Sequence, residues 1–256
     1  MLYFIYKKLS QSLNGSGLSK IGFIRSTHQK LIKNLAPEIV EFDGLKMYHL
    51  GQLSQENNDY LNILKQNIYQ GNTVLDIGAN IGYYTLIMSK LVGSTGKVYA
   101  FEPEPKNFEI LKKNIELNKL DNVILEQKAL SDIDGVTYLE LSKDSGQHRL
   151  SDHGVKVESI TLDSYFQGGE IDFIKMDAEG SEYKIFKGMK NALKNKNLKI
   201  VTEFYYNLLD NPAAFFYDLE DRFKLYDIRN NMKSVDKKEF FSKYNMNSGA
   251  TDLFCK

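Results

Sequence analysis

One cysteine, four prolines and no tryptophan occur in 256 residues, and the scarcest of these excludes the most. A single thiol, Cys255, rules out disulfides within the chain, cysteine-rich zinc sites and dithiol redox chemistry, and points to a reducing, cytoplasmic setting. Net charge is lacking too: Lys plus Arg and Asp plus Glu each number 33. No overall field therefore draws the chain toward nucleic acid or an anionic membrane, and a neutral or weakly charged small molecule fits better as a partner. No apolar run is long enough to span a bilayer. The opening MLYFIYKKLS places its lysines after a short apolar stretch, the reverse of a secretory signal, so packing or fraying is expected there in place of stable membrane insertion. What the chain does have is core material, with 16 Tyr, 15 Phe and 42% hydrophobic residues.

Residues 1–54 read as an appendage. HQKLIKNL has helical spacing and NGSG interrupts the stretch before it, which predicts two short helices joined by a turn; EIVEFDGLKMYHL alternates about Asp43-Gly44, a hairpin signal. Residues 55–256 read as the main domain. After a helical pattern over 55–69, apolar runs (TVLDIG, KVYAFEP, VILEQKAL, IDFIKMD, LKIVTEFY) alternate with amphipathic ones. That alternation predicts an α/β fold with a doubly wound, mostly parallel sheet covered on both faces.

Residues 74–85, VLDIGANIGYYT, end a strand in Asp76 and then turn through Gly78, Asn80 and Gly82. In an open α/β sheet, ligands bind beyond the carboxyl ends of the strands. Gly78 suits the tight turn and Gly82 the close packing of the helix that follows. Asn80 replaces the middle glycine of the dinucleotide fingerprint, where a missing side chain admits a pyrophosphate, so the turn favours a ligand without phosphates. Glu102 follows the next strand about twenty residues on, the position of an acid that accepts hydrogen bonds from ribose hydroxyls. Asp132, in ALSDIDG, is placed to accept from an adenine amino group, the alternative being a solvated turn carboxylate; Asp134-Gly135 predicts a hairpin turn.

VLDIGANIGYYT, VYAFEPEPKNFEILKKNI, ALSD, TLDSYF and IDFIKMDAEGSEYKIFKGM, taken together and in order, resemble the FkbM-type methyltransferases over roughly residues 70–205. The resemblance implies a class I, Rossmann-like, seven-stranded sheet, S-adenosylmethionine as cofactor, and transfer to a hydroxyl of a sugar, glycan precursor or other small molecule. It implies that Asp76, Gly78, Asn80 and Gly82 line the methionine portion of the cofactor, Glu102 its ribose and Asp132 its adenine.

Methylating an alcohol requires a base, because the hydroxyl is a weak nucleophile until its proton leaves. Asp177 and Glu179, beyond the fourth strand, and Glu203, at the end of the fifth, are carboxylates that strand order could bring together. Asp177 is the first candidate, as base and as a cofactor-lining residue, and Glu203 the next. Glu179 and Glu182 have a second use, at the N-terminus of the next helix, and Lys175 can pair with a carboxylate. His148, in the polar loop DSGQHRL, is the other candidate base. No metal site is assigned, since no histidine-and-acid cluster has metal spacing, although three converging carboxylates permit a hard cation. The rivals are a nicotinamide-dependent oxidoreductase, disfavoured by Asn80 and KMDAEG, and a non-catalytic cofactor-binding module. A nucleic-acid methyltransferase is disfavoured by neutral charge and the lack of an Asn-Pro-Pro-aromatic tetrad for a flipped base. For the appendage, covering the cleft and building a homodimer are the open alternatives.

Overall fold

The computed structural model describes residues 38–49, 58–142, 148–245 and 249–256; the helices expected within the first 36 residues lie outside them. Backbone proximity divides the chain into two units, Met1–Glu56 and Asn57–Lys256. In the first, β1 (Glu38–Phe42) and β2 (Leu45–His49) form an antiparallel hairpin. Its two-residue turn holds Asp43 and Gly44 at φ 50° and 75°, the left-handed pair that suits the twist of tightly joined strands.

The second unit begins with helix Asn58–Asn67 and then alternates β3 (Thr73–Ile77), helix Tyr83–Val92, β4 (Lys97–Phe101), helix Pro105–Asn118 and β5 (Val123–Glu126). A small sheet intervenes, built from β6 (Ala129–Leu130), β7 (Gly135–Glu140), β8 (Arg149–Ser151) and β9 (Val155–Ile160) in the order β6-β9-β7-β8. The alternation resumes with β10 (Phe173–Met176), helix Glu182–Lys187, β11 (Lys199–Tyr205), helix Pro212–Glu220, β12 (Leu225–Asp227), β13 (Lys233–Ser234), helix Lys237–Lys243 and β14 (Ala250–Cys255).

The main sheet runs β13-β12-β14-β11-β10-β3-β4-β5. Five neighbours, β11 through β5, are parallel, and β14 is antiparallel to both β11 and β12. Seven of these strands make the expected class I arrangement, and the two-residue β13 extends its outer edge. The central strands are apolar on both faces, as a sheet covered on two sides requires. Much of the Phe content collects where helices Pro212–Glu220 and Lys237–Lys243 cover β11. Phe204 stacks on Phe215 with centroids 6.0 Å apart, and Phe216 meets Phe240 at 4.8 Å. Among the described residues no helix is long and apolar enough to cross a membrane.

Two local expectations are corrected. Asp134-Gly135 is not a hairpin turn. Asp134 accepts hydrogen bonds from Thr161 N and Ser164 Oγ, both at 2.6 Å, and β6 and β7 pair with opposite sides of β9 in place of each other. The run EYKIFKGMKNALKN reads in the sequence as one helix over residues 182–195, but the helix stops at Lys187, because the Gly188 carbonyl accepts from Asp163 N at 3.0 Å and leaves the helical ladder.

Asn122, just before the edge strand β5, ties helix Tyr83–Val92 to the sheet. Its amide donates to Ser89 O and Gly93 O, both at 2.9 Å, and its oxygen accepts from Ser89 Oγ at 2.6 Å. Asn122→Ala leaves those buried groups unsatisfied and is expected to cost about 2–3 kcal/mol, read as a lower urea midpoint at unchanged slope.

Candidate active site

β3 is the point where the chain reverses direction across the sheet: β4 and β5 lie on one side of it, β10 and β11 on the other. Register places Asp76 on β3 directly beside Lys175 on β10. Both are buried, at 0% and 2% exposure, with Lys175 Nζ 3.3 Å from Asp76 Oδ1. Thr85 Oγ1 donates to Asp76 Oδ2 at 2.6 Å, and Lys175 Nζ donates to Gly78 O at 2.9 Å. Burial alone would depress the Lys175 pKa, but the charges of Asp76 and Asp177 outweigh it and hold the ammonium well above its ordinary value. A lysine inside the apolar run IDFIKM thus anchors the turn at the end of the neighbouring strand.

Gly78 has φ 72°, and a Cβ there would lie 1.8 Å from Asp177 O, so the turn and the loop after β10 are in backbone contact. Gly78 N and Ala79 N both donate to Phe101 O at 3.0 Å, and Asn80 N donates to Glu102 Oε2 at 2.7 Å. Glu102 Oε1 accepts from Glu104 N at 2.9 Å, and Glu104 in turn caps helix Pro105–Asn118 through Asn107 N. Glu102 is therefore a brace between the glycine turn and the next helix as well as an acid at a strand end. Burial outweighs those amide bonds and pushes its pKa up to about 7. Each carboxylate oxygen has two lone pairs, so one on each remains after the amides are satisfied. That capacity fits a ribose bearing adjacent hydroxyls.

On the far side of the turn, Asp177, Glu179 and Glu203 offer carboxylate oxygens that all lie within 4.8 Å of one another. Asp177 follows β10, Glu179 sits at φ 50° in the same loop, and Glu203 is on β11. Burial first, then the charge of Asp177, pushes Glu179 up to about 7 and Glu203 up to about 9. Lys175 Nζ is 3.6 Å from Asp177 Oδ2. Asp252, opposite Glu203 on β14, is also raised by burial, against a 2.8 Å bond from Arg229 Nε. Glu182 is separate: fully buried, it accepts from Ala178 N at 2.7 Å and Gly180 N at 3.0 Å and shapes the loop.

The other expected residues have partners of their own. Asp132 pairs with Lys187 Nζ at 2.8 Å; burial opposes ionisation, yet the ammonium holds its pKa below the usual value. His148 Nδ1 accepts from Ser142 N at 3.0 Å. While that bond lasts, the neutral ring carries its proton on Nε2 and is a donor there, not a proton acceptor. Its neighbour Arg149 is the member of that stretch whose charge reaches Glu179. Sequence reasoning missed Asp252, which enters through β14 register, Arg229, which follows β12 and bonds to Asp252, and Tyr60, whose helix precedes the glycine turn. Tyr60 packs on Tyr84 with ring centroids 4.9 Å apart, and Lys175 Nζ lies 5.4 Å from the centre of the Tyr84 ring. Only Lys175 carried a signal, as a charge in an apolar strand.

The sequence profile described as Methyltransferase FkbM domain matches residues 76–235. The hexuronic acid methyltransferase AglP of Haloferax volcanii is 29% identical over 203 residues, which is 77% of this chain and 82% of that protein. Methyltransferase sdnD of Sordaria araneosa is 26% identical over 198 residues, 60% of this chain and 76% of its own length. A crystal structure of the FkbM methyltransferase from Methylobacillus flagellatus KT superposes with TM-score 0.50 at 17% identity, covering 73% of this chain and 44% of that one, a likeness of fold.

Removing one member of the buried ion pair strands the other. Lys175→Met is expected to cost about 3–5 kcal/mol in chemical denaturation, and Lys175→Met combined with Asp76→Asn substantially less, since no buried charge is then left unpaired.

Proposed function

Because the chain belongs to the FkbM methyltransferase family and takes S-adenosylmethionine as methyl donor, we propose that it methylates oxygen, at a hydroxyl of a sugar or another small-molecule glycan precursor. The main support is the gathering of Asp177, Glu179 and Glu203 at the carboxyl ends of β10 and β11, beside the glycine turn. A neutral amine can attack before losing a proton, whereas an alcohol needs an acceptor for it, and this side of the site is lined with acceptors. The likeness to a hexuronic acid methyltransferase supports the sugar class.

In this proposal Glu102 holds the ribose, Asp132 the adenine amino group, and Asp76, Gly78, Asn80 and Gly82 shape the wall against the methionine portion. The bound cofactor supplies an activated methyl on a sulfonium, so that the acceptor oxygen gains a C–O bond as the C–S bond breaks and S-adenosylhomocysteine leaves. The chain's own task is alignment and proton removal. Asp177 takes the hydroxyl proton and passes it to solvent. Glu203 and Glu179 orient the acceptor, and His148, with Nδ1 engaged by Ser142, is the weaker candidate for base.

The test is incubation with S-adenosylmethionine and a panel of p-nitrophenyl glucosides, galactosides and glucuronides, read by mass spectrometry before and after alkali. An alkali-stable methyl ether supports the proposal, whereas an alkali-labile ester on the uronide alone would show that the acceptor is a carboxylate. Asp177→Asn is expected to lower turnover roughly 100-fold or more while S-adenosylhomocysteine still binds in calorimetry.

Glu102 makes donor binding pH-dependent. Ribose hydroxyls favour its ionised form, and its pKa of about 7 leaves most chains protonated at pH 6 and ionised at pH 8. Affinity for S-adenosylhomocysteine should therefore rise about tenfold over that interval. Glu102→Gln should bind more weakly than the wild type at pH 8 and lose the dependence.

A further inference from the structure

We propose that Asp177, Glu179 and Glu203 together hold a hard divalent cation, and that the Tyr60 hydroxyl bonds to a water in its coordination shell. The proposal rests on the reading of this side of the site as the place where a hydroxyl is methylated. Metal–oxygen bonds of roughly 2.1–2.4 Å put oxygens on opposite sides of one ion about 4.2–4.8 Å apart. The three carboxylates offer oxygens within 4.8 Å of one another, so one ion can reach them all. An all-oxygen donor set selects the magnesium, manganese and calcium class over zinc or copper.

Tyr60 is the independent observation. It is 6% exposed, and its hydroxyl has no hydrogen-bond partner among the described residues. Its ring is held by packing on Tyr84, outside the acidic loop and on a different element. Of the charges around the hydroxyl, Asp177 bears on it most strongly, followed by Asp252. Tyr60 lies against Tyr84, Lys175 Nζ is 5.4 Å from the centre of the Tyr84 ring, and the same Nζ is 3.6 Å from Asp177 Oδ2; a buried phenol left without a partner in these surroundings calls for a polar group, because an unsatisfied buried hydroxyl is costly. A cation-bound water is such a group.

The nearby cations are committed elsewhere. Lys175 Nζ is closer to Asp76 Oδ1 (3.3 Å) than to Asp177 Oδ2 (3.6 Å) and donates to Gly78 O, while Arg229 Nε is bonded to Asp252. The charge of Arg149 reaches Glu179, but among the described residues neither Glu179 nor Glu203 forms an ion pair. Glu203 Oε2 is buried and also has no hydrogen-bond partner among them. Three protein oxygens leave coordination positions for water and for an acceptor hydroxyl, whose proton a cation makes easier to remove.

The test is a Mn²⁺ titration of the EDTA-treated full chain with S-adenosylhomocysteine present, followed by the electron paramagnetic resonance signal of free Mn²⁺. The expected result is about one site per chain, millimolar or tighter, displaced by Mg²⁺. Glu179→Gln and Glu203→Gln should each weaken it at least tenfold, and Tyr60→Phe by a smaller factor. If Glu203→Gln fails to fold, Glu179→Gln, in the loop, reads the same site. No loss of the free signal at millimolar Mn²⁺, or equal binding by wild type and both Glu variants, overturns the proposal. No acceptor is used, so a failed acceptor screen leaves this result standing. Conversely, hydroxyl methylation by EDTA-treated chain that takes up no Mn²⁺ removes the cation and leaves the transfer reaction in place.

Discussion

The buried contact between Asp76 and Lys175 is the constraint on which the rest of the site depends. A dry ion pair is a poor source of net stability, because desolvating both charges offsets most of their attraction. Its value here is geometric. Asp76 and Lys175 are register partners on the two central strands, so a one-residue slip of β10 would separate them and strand both charges. Lys175 also donates to Gly78 O and stands near Asp177. One ammonium thereby connects the end of β3, the glycine turn and the first candidate base.

The charges on either side of this pair are handled differently. Toward β4, Glu102 is surrounded by backbone amides, from Asn80 and Glu104, that fix its carboxylate in one orientation. Toward β11, the acids face one another with few donors, and burial together with mutual repulsion raises Glu179 and Glu203. The first environment suits recognition of neutral hydroxyls. The second stores proton affinity, which suits chemistry that must dispose of a proton or attract a cation. The short turn from Gly78 to Gly82 separates the two, and the Gly78 φ of 72° lets it pass against the Asp177 backbone.

Much of this was legible in the sequence wherever partners are close along the chain or one motif carries them. The strand, glycine turn and helix around Asp76, the acid after β4, and the carboxylate after β10 are local signals, and the alternation of strand and helix makes a parallel sheet nearly obligatory. Pairings between distant segments were not legible. Asp252 and Arg229 reach the site only through the register of β14 on β11, and no periodicity announces it. Tyr60 lies on an amphipathic helix whose apolar spacing looks the same whether its hydroxyl meets a ligand or solvent. The small sheet was obscured because β6 pairs in parallel with β9, some thirty residues later, while the intervening Asp134 suggested a turn to its immediate neighbour. Gly188 did mark the helix end, but the longer apolar pattern overrode it.

The place of β14 has a consequence for how the chain becomes active. It lies between β11 and β12, both made before it, and is antiparallel to each. Until β14 inserts, β11 has an open edge, β12 and β13 have nothing to dock on, and Glu203 lacks its cross-strand neighbour Asp252. The parallel half of the sheet, including the glycine turn and Glu102, requires none of these contacts. Folding can therefore run outward from the parallel half, with the slow, long-range closure of the sheet as the event that sets Asp252 and Arg229 against Glu203. A half-folded chain would then carry its three acids with the outer wall beside Glu203 still open to water.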